Sequence, residues 1–416
     1  MSEHDLSLPV SAGHQLIEGL KQELDELGQN NLLRKRRTVD HAKGAAVKTE
    51  GRELLAFCSN DYLGLATHPA IVHALQEGAA RYGAGSGASH LISGHSRAHM
   101  ALEEKLADWM QPCIEQPRAL YFCTGYMANQ AMITALAGKD ATVFSEALNH
   151  ASIIDGVRLS RGDTQVFRHG DFEQLEQMLK NCQRKKRVVV TDSVFSMDGD
   201  IANIPALLKL CERYGAWLLV DDAHGFGVLG EHGRGVLEHF GLRSPNIVYM
   251  GTLGKAAGVG GAFVAAHETV IEYLIQRGRA YIYTTAAAPA LAHALQTSID
   301  LIGGDEGRER RTHLRSLIRL FSNGLDLRDW QLLPSETAVQ PVVIGDNAAM
   351  LNAASGLLNQ GYWVGAIRPP TVPVGTARLR VTLSAAHQTS DVQLLVQAIN
   401  RMNQMAYIAQ CFAGVA

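Results

Sequence analysis

An amine, a carboxylate and an imidazole each stand where an apolar run gives out. Asn246-Ile-Val-Tyr-Met-Gly-Thr-Leu-Gly-Lys255 delivers a lysine on a glycine-rich turn, and Ala216-Trp-Leu-Leu-Val220 runs into Asp221-Asp222-Ala223-His224. This trio suits a pyridine-aldehyde cofactor. The Lys255 amine forms a Schiff base with the aldehyde, the Asp221 carboxylate holds the ring nitrogen protonated, and the His224 imidazole reaches the ring hydroxyl. By itself Lys255 reads equally well as a surface lysine; the set carries the chemistry.

Three further segments extend the set, each with a plainer reading beside it. Tyr121-Phe-Cys-Thr124-Gly125-Tyr126 passes from strand to helix start, where free backbone N–H groups bind phosphate; an ordinary strand-to-helix turn has the same pattern. His150, in Asn149-His150-Ala-Ser152, is either a structural histidine or a flat ring laid over a planar cofactor. Arg378-Leu-Arg380 puts two guanidinium groups on one face of a strand, as solvated edge residues or as a clamp for a substrate carboxylate. Gly225-Phe-Gly227-Val-Leu-Gly230 matches the dinucleotide fingerprint and keeps a nicotinamide-dependent dehydrogenase as an alternative. Against it, Asp-Asp-Ala-His separates the glycines from the strand, and the next strand ends in Tyr249-Met250 rather than an acid. The segment therefore reads as a loop.

The elements that must position these residues alternate. Apolar runs at 119–123, 142–145, 187–195, 216–220, 246–250 and 261–266 are separated by helical patterns such as 126–137 and 205–214. Continuous apolar strands between helices predict a mostly parallel sheet covered on both faces, with ligands at the carboxyl ends of its strands. Residues 14–27 place Leu16, Ile17, Leu20, Leu24 and Leu27 on one helical face that must pack on something. After about residue 304 a charged helix, a strand at 338–344, a helix, strands at 362–367 and 377–383 and a last helix predict a smaller α+β unit. The expected division is an N-terminal helix and short strand (1–57), a large α/β domain (58–304) and a small C-terminal domain (305–416).

With 416 residues and 46% hydrophobic content the chain has ample core for such an arrangement. A net charge of −3 implies no general affinity for nucleic acid or anionic membrane. The basic clusters at 34–37, 184–187 and 308–311 read as solvated helix ends and loops, with phosphate or carboxylate binding considered only for the first. Six cysteines without a C-x-x-C pair, mostly among apolar neighbours, fit free thiols in a reducing compartment. The acidic start and the lack of a spanning apolar run predict a soluble, cytoplasmic protein.

Thr252-Leu-Gly-Lys255, Val220-Asp-Asp-Ala-His224-Gly, Asp192-Ser-Val-Phe-Ser196-Met-Asp198-Gly and Ser59-Asn60-Asp-Tyr-Leu-Gly64 resemble, in order and over about residues 30–390, the α-oxoamine synthases. These are pyridoxal-phosphate enzymes of fold type I, with a large domain built on a mostly parallel seven-stranded sheet and a smaller C-terminal α+β domain. Ala366-Ile-Arg-Pro-Pro-Thr371 through Arg378-Leu-Arg380, with Tyr281-Ile-Tyr-Thr284-Thr285, is most similar to the branch that condenses L-alanine with pimeloyl-CoA for biotin synthesis. Gly85-Ser-Gly-Ala88-Ser89-His90 departs from the commoner Gly-Ser-Gly-Gly-Ser-Gly-His, so the acyl chain stays open. Other branches act as glycine C-acetyltransferase, 5-aminolevulinate synthase or serine palmitoyltransferase, and a silent scaffold of the same fold is a further alternative. The resemblance implies that Lys255 carries the cofactor and shuttles a proton, and that Asp221 pairs with the ring nitrogen. His224 and Ser196 would meet the hydroxyl region, and His150 would stack on the ring. Gly125, Tyr126 and Thr252 would take the phosphate, joined by Thr284 or Thr285 from the second subunit of a homodimer with shared sites. Arg380 and Asn60 would hold the amino-acid carboxylate, and Arg34 and Thr371 would touch substrate. No metal is implied.

Overall fold

The computed structural model describes residues 10–413. Three N-terminal strands, β1 (Val39–Lys43), β2 (Ala46–Thr49) and β3 (Arg52–Phe57), precede the large sheet. That sheet is built from β4 (Pro117–Phe122), β5 (Ala141–Glu146), β6 (Asp163–Phe167), β7 (Lys186–Asp192), β8 (Trp217–Asp221), β9 (Ile247–Thr252) and β10 (Ala262–His267). Its order is β4-β10-β9-β8-β7-β5-β6. All neighbours are parallel except β10, which runs antiparallel to both β4 and β9.

The side-chain alternation of a strand divides the core between the two faces of this sheet. Val188, Val190, Leu219, Val248 and Met250 pack into one cluster, whereas Val189, Leu218, Val220 and Tyr249 pack into the other. Both faces are dry, which is why these strands read as unbroken apolar runs.

The C-terminal region adds β11 (Gln331–Leu332), β12 (Val339–Gly345), β13 (Tyr362–Ile367) and β14 (Ala377–Thr382). They join β1–β3 in a second sheet of order β1-β2-β3-β13-β14-β12-β11, in which β3 and β13 are parallel. The segment expected as a separate N-terminal piece thus supplies three strands to the C-terminal sheet. Arg368 strengthens the join by donating to the carbonyls of Asn31 (2.8 Å) and Leu33 (3.0 Å).

The N-terminal helix spans Val10–Gln29, and its apolar stripe is covered by nothing in the described chain: Leu16 is 75% exposed and Leu20 57%. One basic cluster departs from expectation. Arg311 is buried rather than solvated, and its terminal guanidinium nitrogens donate to the carbonyls of Ile302 and Glu231, both at 2.7 Å, which offsets part of the burial cost while its Nε stays without a partner.

The glycine run 225–230 is a turn that wraps a carboxylate. Asp222 is fully buried and accepts from Tyr249 Oη (2.7 Å), the Val236 amide (2.8 Å) and Ser193 Oγ. A Cβ at Gly225 would stand 2.1 Å from Asp222 Oδ1, and one at Gly235 1.9 Å from Oδ2. The glycines admit the protein's own carboxylate to close approach, and the run 225–230 opens no helix; the four-residue helix Val236–His239, capped by Gly235, gives its first amide to Asp222 rather than to a pyrophosphate.

Candidate active site

The parallel strands β4, β5, β7, β8 and β9 point their carboxyl ends to one edge of the large sheet. The residues singled out from the sequence follow directly: Thr124–Tyr126 after β4, His150 after β5, Ser196 after β7, Asp221 and His224 at the end of β8, and Thr252 and Lys255 at the end of β9. Thr124 caps helix Gly125–Leu136 by accepting from the Met127 amide at 3.2 Å. The amides of Gly125 and Tyr126 find no acceptor among the described residues, so the helix start is open to an anion. The Tyr126 hydroxyl is spent on Asp155 (2.7 Å), leaving its backbone as the useful part. A Cβ at Gly125 would lie 3.9 Å from Thr252 Oγ1, which puts that hydroxyl at the same opening.

One side-chain amide orients two members of the site. Asn129 Nδ2 donates to Asp221 Oδ2 at 2.7 Å and to Ser152 Oγ at 2.8 Å. Ser152 Oγ lies 2.8 Å from His150 Nδ1, which also accepts from the Ser152 amide. Asp221 Oδ1 takes the Ala223 amide at 2.9 Å. The carboxylate is thereby aimed while each oxygen keeps a lone pair for a further donor. His150 is held by its backbone as well, since its amide donates to Asp192 Oδ2 at 2.6 Å. Burial lowers the His150 imidazole below the ordinary histidine range and leaves it neutral. Asp192, fully buried beside Asp221, has its carboxyl pushed well up by desolvation and by that neighbouring charge.

Lys255 is nearly enclosed, and its Nζ lies 2.8 Å from His224 Nε2. The other ring nitrogen of His224 meets the Tyr62 hydroxyl, which in turn reaches Asn60 Oδ1 at 3.3 Å. Desolvation pushes the Lys255 amine down to about 8, partly opposed by the charges of Asp221 and Asp192. The same burial, with Lys255 nearby, holds His224 well below the usual range. The free amine is the nucleophile, and its fraction rises as pH climbs through the amine's pKa. The cofactor-free protein is therefore expected to capture pyridoxal phosphate at a rate that rises with pH, is half-maximal near 8, and then levels off. An unperturbed lysine would keep accelerating to about pH 10. Stopped-flow absorbance across pH 6.5–10 distinguishes the two.

The two arginines of β14 differ in what they have left to give. Arg378 is fully engaged, with Asp198 Oδ1 (2.7 Å), the Met197 carbonyl (3.1 Å), and the Thr376 carbonyl and hydroxyl (3.1 and 3.2 Å). Arg380 spends Nε on the Ser196 carbonyl (2.6 Å) and a terminal nitrogen on Thr382 Oγ1 (3.1 Å). Its contacts to Asn60 Oδ1 are long, at 3.3 and 3.4 Å. A paired clamp reduces to Arg380, whose terminal nitrogens retain capacity for a carboxylate. Arg34 and Thr371 are exposed on the segments that Arg368 draws together. Thr284 and Thr285 sit on the loop between helices Arg279–Ile282 and Pro289–Gly303, with Thr285 exposed. These four are not joined to Lys255 by any described hydrogen bond.

The donor set fits pyridoxal phosphate: a buried amine of depressed basicity, an anchored carboxylate with spare lone pairs, open amides at a helix start beside Thr252, and a fixed neutral imidazole at His150. Sequence reasoning did not single out Asn129, Tyr62 or Asp192. Tyr62 and Asp192 lie within quoted segments and Asn129 just beyond one, but nothing local marks a residue whose partner is more than forty positions away. Elsewhere His90, His95 and His99 cluster within 4.8 Å. His99 has both ring nitrogens engaged, Nδ1 with the Ser96 amide and Nε2 with the Ala287 carbonyl. It has no lone pair free for a metal.

A family model described as aminotransferase class I and II matches residues 52–399. An 8-amino-7-oxononanoate synthase of Janthinobacterium sp. (strain Marseille) is 63% identical over 391 residues, covering 94% of this chain and 99% of that relative. Among solved structures, a serine palmitoyltransferase from S. paucimobilis, with bound pyridoxal phosphate joined to myriocin, superposes with a TM-score of 0.87 at 28% identity, over 95% of this chain and 99% of that one. An 8-amino-7-oxononanoate synthase from Francisella tularensis does so with a TM-score of 0.73 at 29% identity, over 85% and 99%.

Proposed function

The chain belongs to the class I and II aminotransferase family, and we propose that within it the chain condenses L-alanine with a pimeloyl thioester. The products are 8-amino-7-oxononanoate, the free thiol carrier and carbon dioxide, a step of biotin synthesis. The observation that carries this reading is Lys255, a buried amine one strand away from an anchored Asp221, in a chain 63% identical over nearly its full length to a synthase of that name. Serine palmitoyltransferase shares the fold more closely by superposition, but at 28% identity it informs on architecture more than on substrate.

When bound, pyridoxal phosphate supplies an aldehyde that condenses with amines and a protonated ring that accepts the electrons left when a proton or carboxyl group departs. The chain's own residues do the rest. Lys255 Nζ would hold the cofactor through its aldehyde, and as a free amine it would take the α-proton of L-alanine as a base. His224 Nε2, 2.8 Å away, fixes where that nitrogen rests. Asp221 keeps a proton on the ring nitrogen, and Asn129 keeps Asp221 aimed. The His150 ring would cover one face of the cofactor. His224 and Ser196 would serve its hydroxyl. Gly125, Tyr126 and Thr252 would receive its phosphate. Arg380, with Asn60, holds the carboxylate of the amino acid, and Arg34 and Thr371 contact the acyl substrate. The site sits where residues 58–304, as a large domain, meet the small domain of 305–416.

A homodimer completes this reading, with Thr284 or Thr285 of one subunit reaching the phosphate in the other. The uncovered leucine stripe of the N-terminal helix supports a second copy. The five cysteines whose side chains are described are unpaired, which supports a reducing, cytoplasmic setting; no described helix is long and apolar enough to cross a membrane. Titrating L-alanine, glycine and L-serine into the cofactor-loaded protein with pimeloyl-CoA tests the substrate. L-Alanine is expected to change the visible absorption and to turn over at least about tenfold faster than the others, one methyl or hydroxyl being worth about 1–3 kcal/mol in a fitted pocket. Faster turnover of glycine or L-serine overturns the assignment.

A further inference from the structure

The ring of His169 lies between two carboxylates that the reaction does not use. Its Nδ1 is 2.8 Å from Glu146 Oε1 at the end of β5, and its Nε2 is 3.1 Å from Asp200 Oδ2. Both acceptors are carboxylates, so both nitrogens carry protons. Asp200 and Glu146 together push the imidazole up to about 10, against the effect of burial. The ring also meets Phe195 edge to face, with centroids 4.6 Å apart at 88°. Among the described residues His169 is the only side-chain partner of Asp200, whose other oxygen, Oδ1, is buried without one.

Asp200 and Phe195 stand on a short hairpin. The Phe195 amide donates to the Asp200 carbonyl (3.1 Å), the Gly199 amide to the Phe195 carbonyl (2.7 Å), and Val194 bridges Ile201. The tip of this hairpin is what β14 docks on. Arg380 Nε donates to the Ser196 carbonyl at 2.6 Å, and Arg378 donates to Asp198 Oδ1 at 2.7 Å. We propose that His169 is a positioning residue for the amino-acid carboxylate site: it ties the base of the 193–201 hairpin to the large sheet and thereby sets where Ser196 and Asp198 hold Arg380 and Arg378. The hairpin keeps other anchors, since the Gly199 carbonyl accepts from Ser335 Oγ (2.8 Å) and Thr337 Oγ1 (3.0 Å). Losing the clamp therefore loosens the tip without unfolding it.

This inference rests on the reading that Arg380 holds the carboxylate of the amino acid. The test compares the cofactor-loaded native enzyme with His169→Gln, Asp200→Asn, the double variant and Arg380→Lys. His169→Gln and Asp200→Asn are each expected to raise the KM for L-alanine about tenfold, with the KM for pimeloyl-CoA within about twofold of native and kcat within about threefold. The double variant is expected to be no worse than either single one, because both remove the same tie. An unchanged KM for L-alanine in both single variants overturns the inference. So does a parallel rise in both KM values, or multiplicative losses in the double variant. Arg380→Lys checks the underlying reading separately: if it leaves the KM for L-alanine unchanged, the carboxylate assignment fails whatever His169 does.

Discussion

Replacing Lys255 with alanine is expected to lower kcat/KM by about 10⁴-fold or more, since it removes a nucleophile and a general base at once. It is not expected to destabilise the fold. The amine is nearly enclosed, and desolvation holds it at about 8. The unfolded chain gains a proton there more easily than the folded one. In the cofactor-free native protein this group therefore costs stability below about pH 8, and the cost fades between 8 and the ordinary lysine value. A shift of that size corresponds to roughly 3 kcal/mol at neutral pH. The cofactor-free Lys255→Ala variant should melt at or above the native temperature when measured at pH 7. Borohydride reduction of the loaded native protein should fix the cofactor on the peptide containing Lys255, and reduction of the variant should leave that peptide unmodified. A variant with substantial turnover would place the base elsewhere.

Asp221→Asn is expected to cost about 10²–10³-fold in kcat, the effect of losing one aimed electrostatic partner of a developing charge. Cofactor binding and fold should survive, for a reason visible in the geometry. The new amide can accept the Ala223 N–H with its oxygen, which turns its nitrogen toward Asn129. Asn129 has a buried Oδ1 without a partner, so rotating that amide presents an acceptor to the new nitrogen, at the cost of the bond its own nitrogen gives Ser152 Oγ. The variant should bind pyridoxal phosphate with a native far-ultraviolet spectrum and lose turnover. Near-native kcat with cofactor bound would remove Asp221 from its role.

Much of this arrangement was legible in the chain because local pattern reflects burial. The apolar runs ending at Val220 and Met250 announced strands that are dry on both faces, and ligand chemistry collects where such strands end. The glycine-rich turn at Lys255 and the Thr-Gly-Tyr helix start at 124–126 followed from backbone requirements. What escaped depends on distant partners. Strand β6, Asp163–Phe167, is a half-exposed edge with no apolar run to mark it. Strand β3 pairs with β13 across some three hundred residues, so no window of sequence assigns it to the C-terminal sheet. Arg378 and Arg380 look alike on their strand and differ only in the acceptors the hairpin at 193–201 brings to them. Arg311 looks solvated until the carbonyls of Ile302 and Glu231 are in place around it.

The central claim is that this site joins L-alanine to a pimeloyl thioester with loss of carbon dioxide. Mass spectrometry of the product formed by the cofactor-loaded protein from carboxyl-labelled L-alanine and pimeloyl-CoA tests it most directly. The account predicts 8-amino-7-oxononanoate free of the label, with the label recovered as carbon dioxide in equal amount. A product that keeps the carboxyl label, or no product from L-alanine while another amino acid reacts, would contradict it.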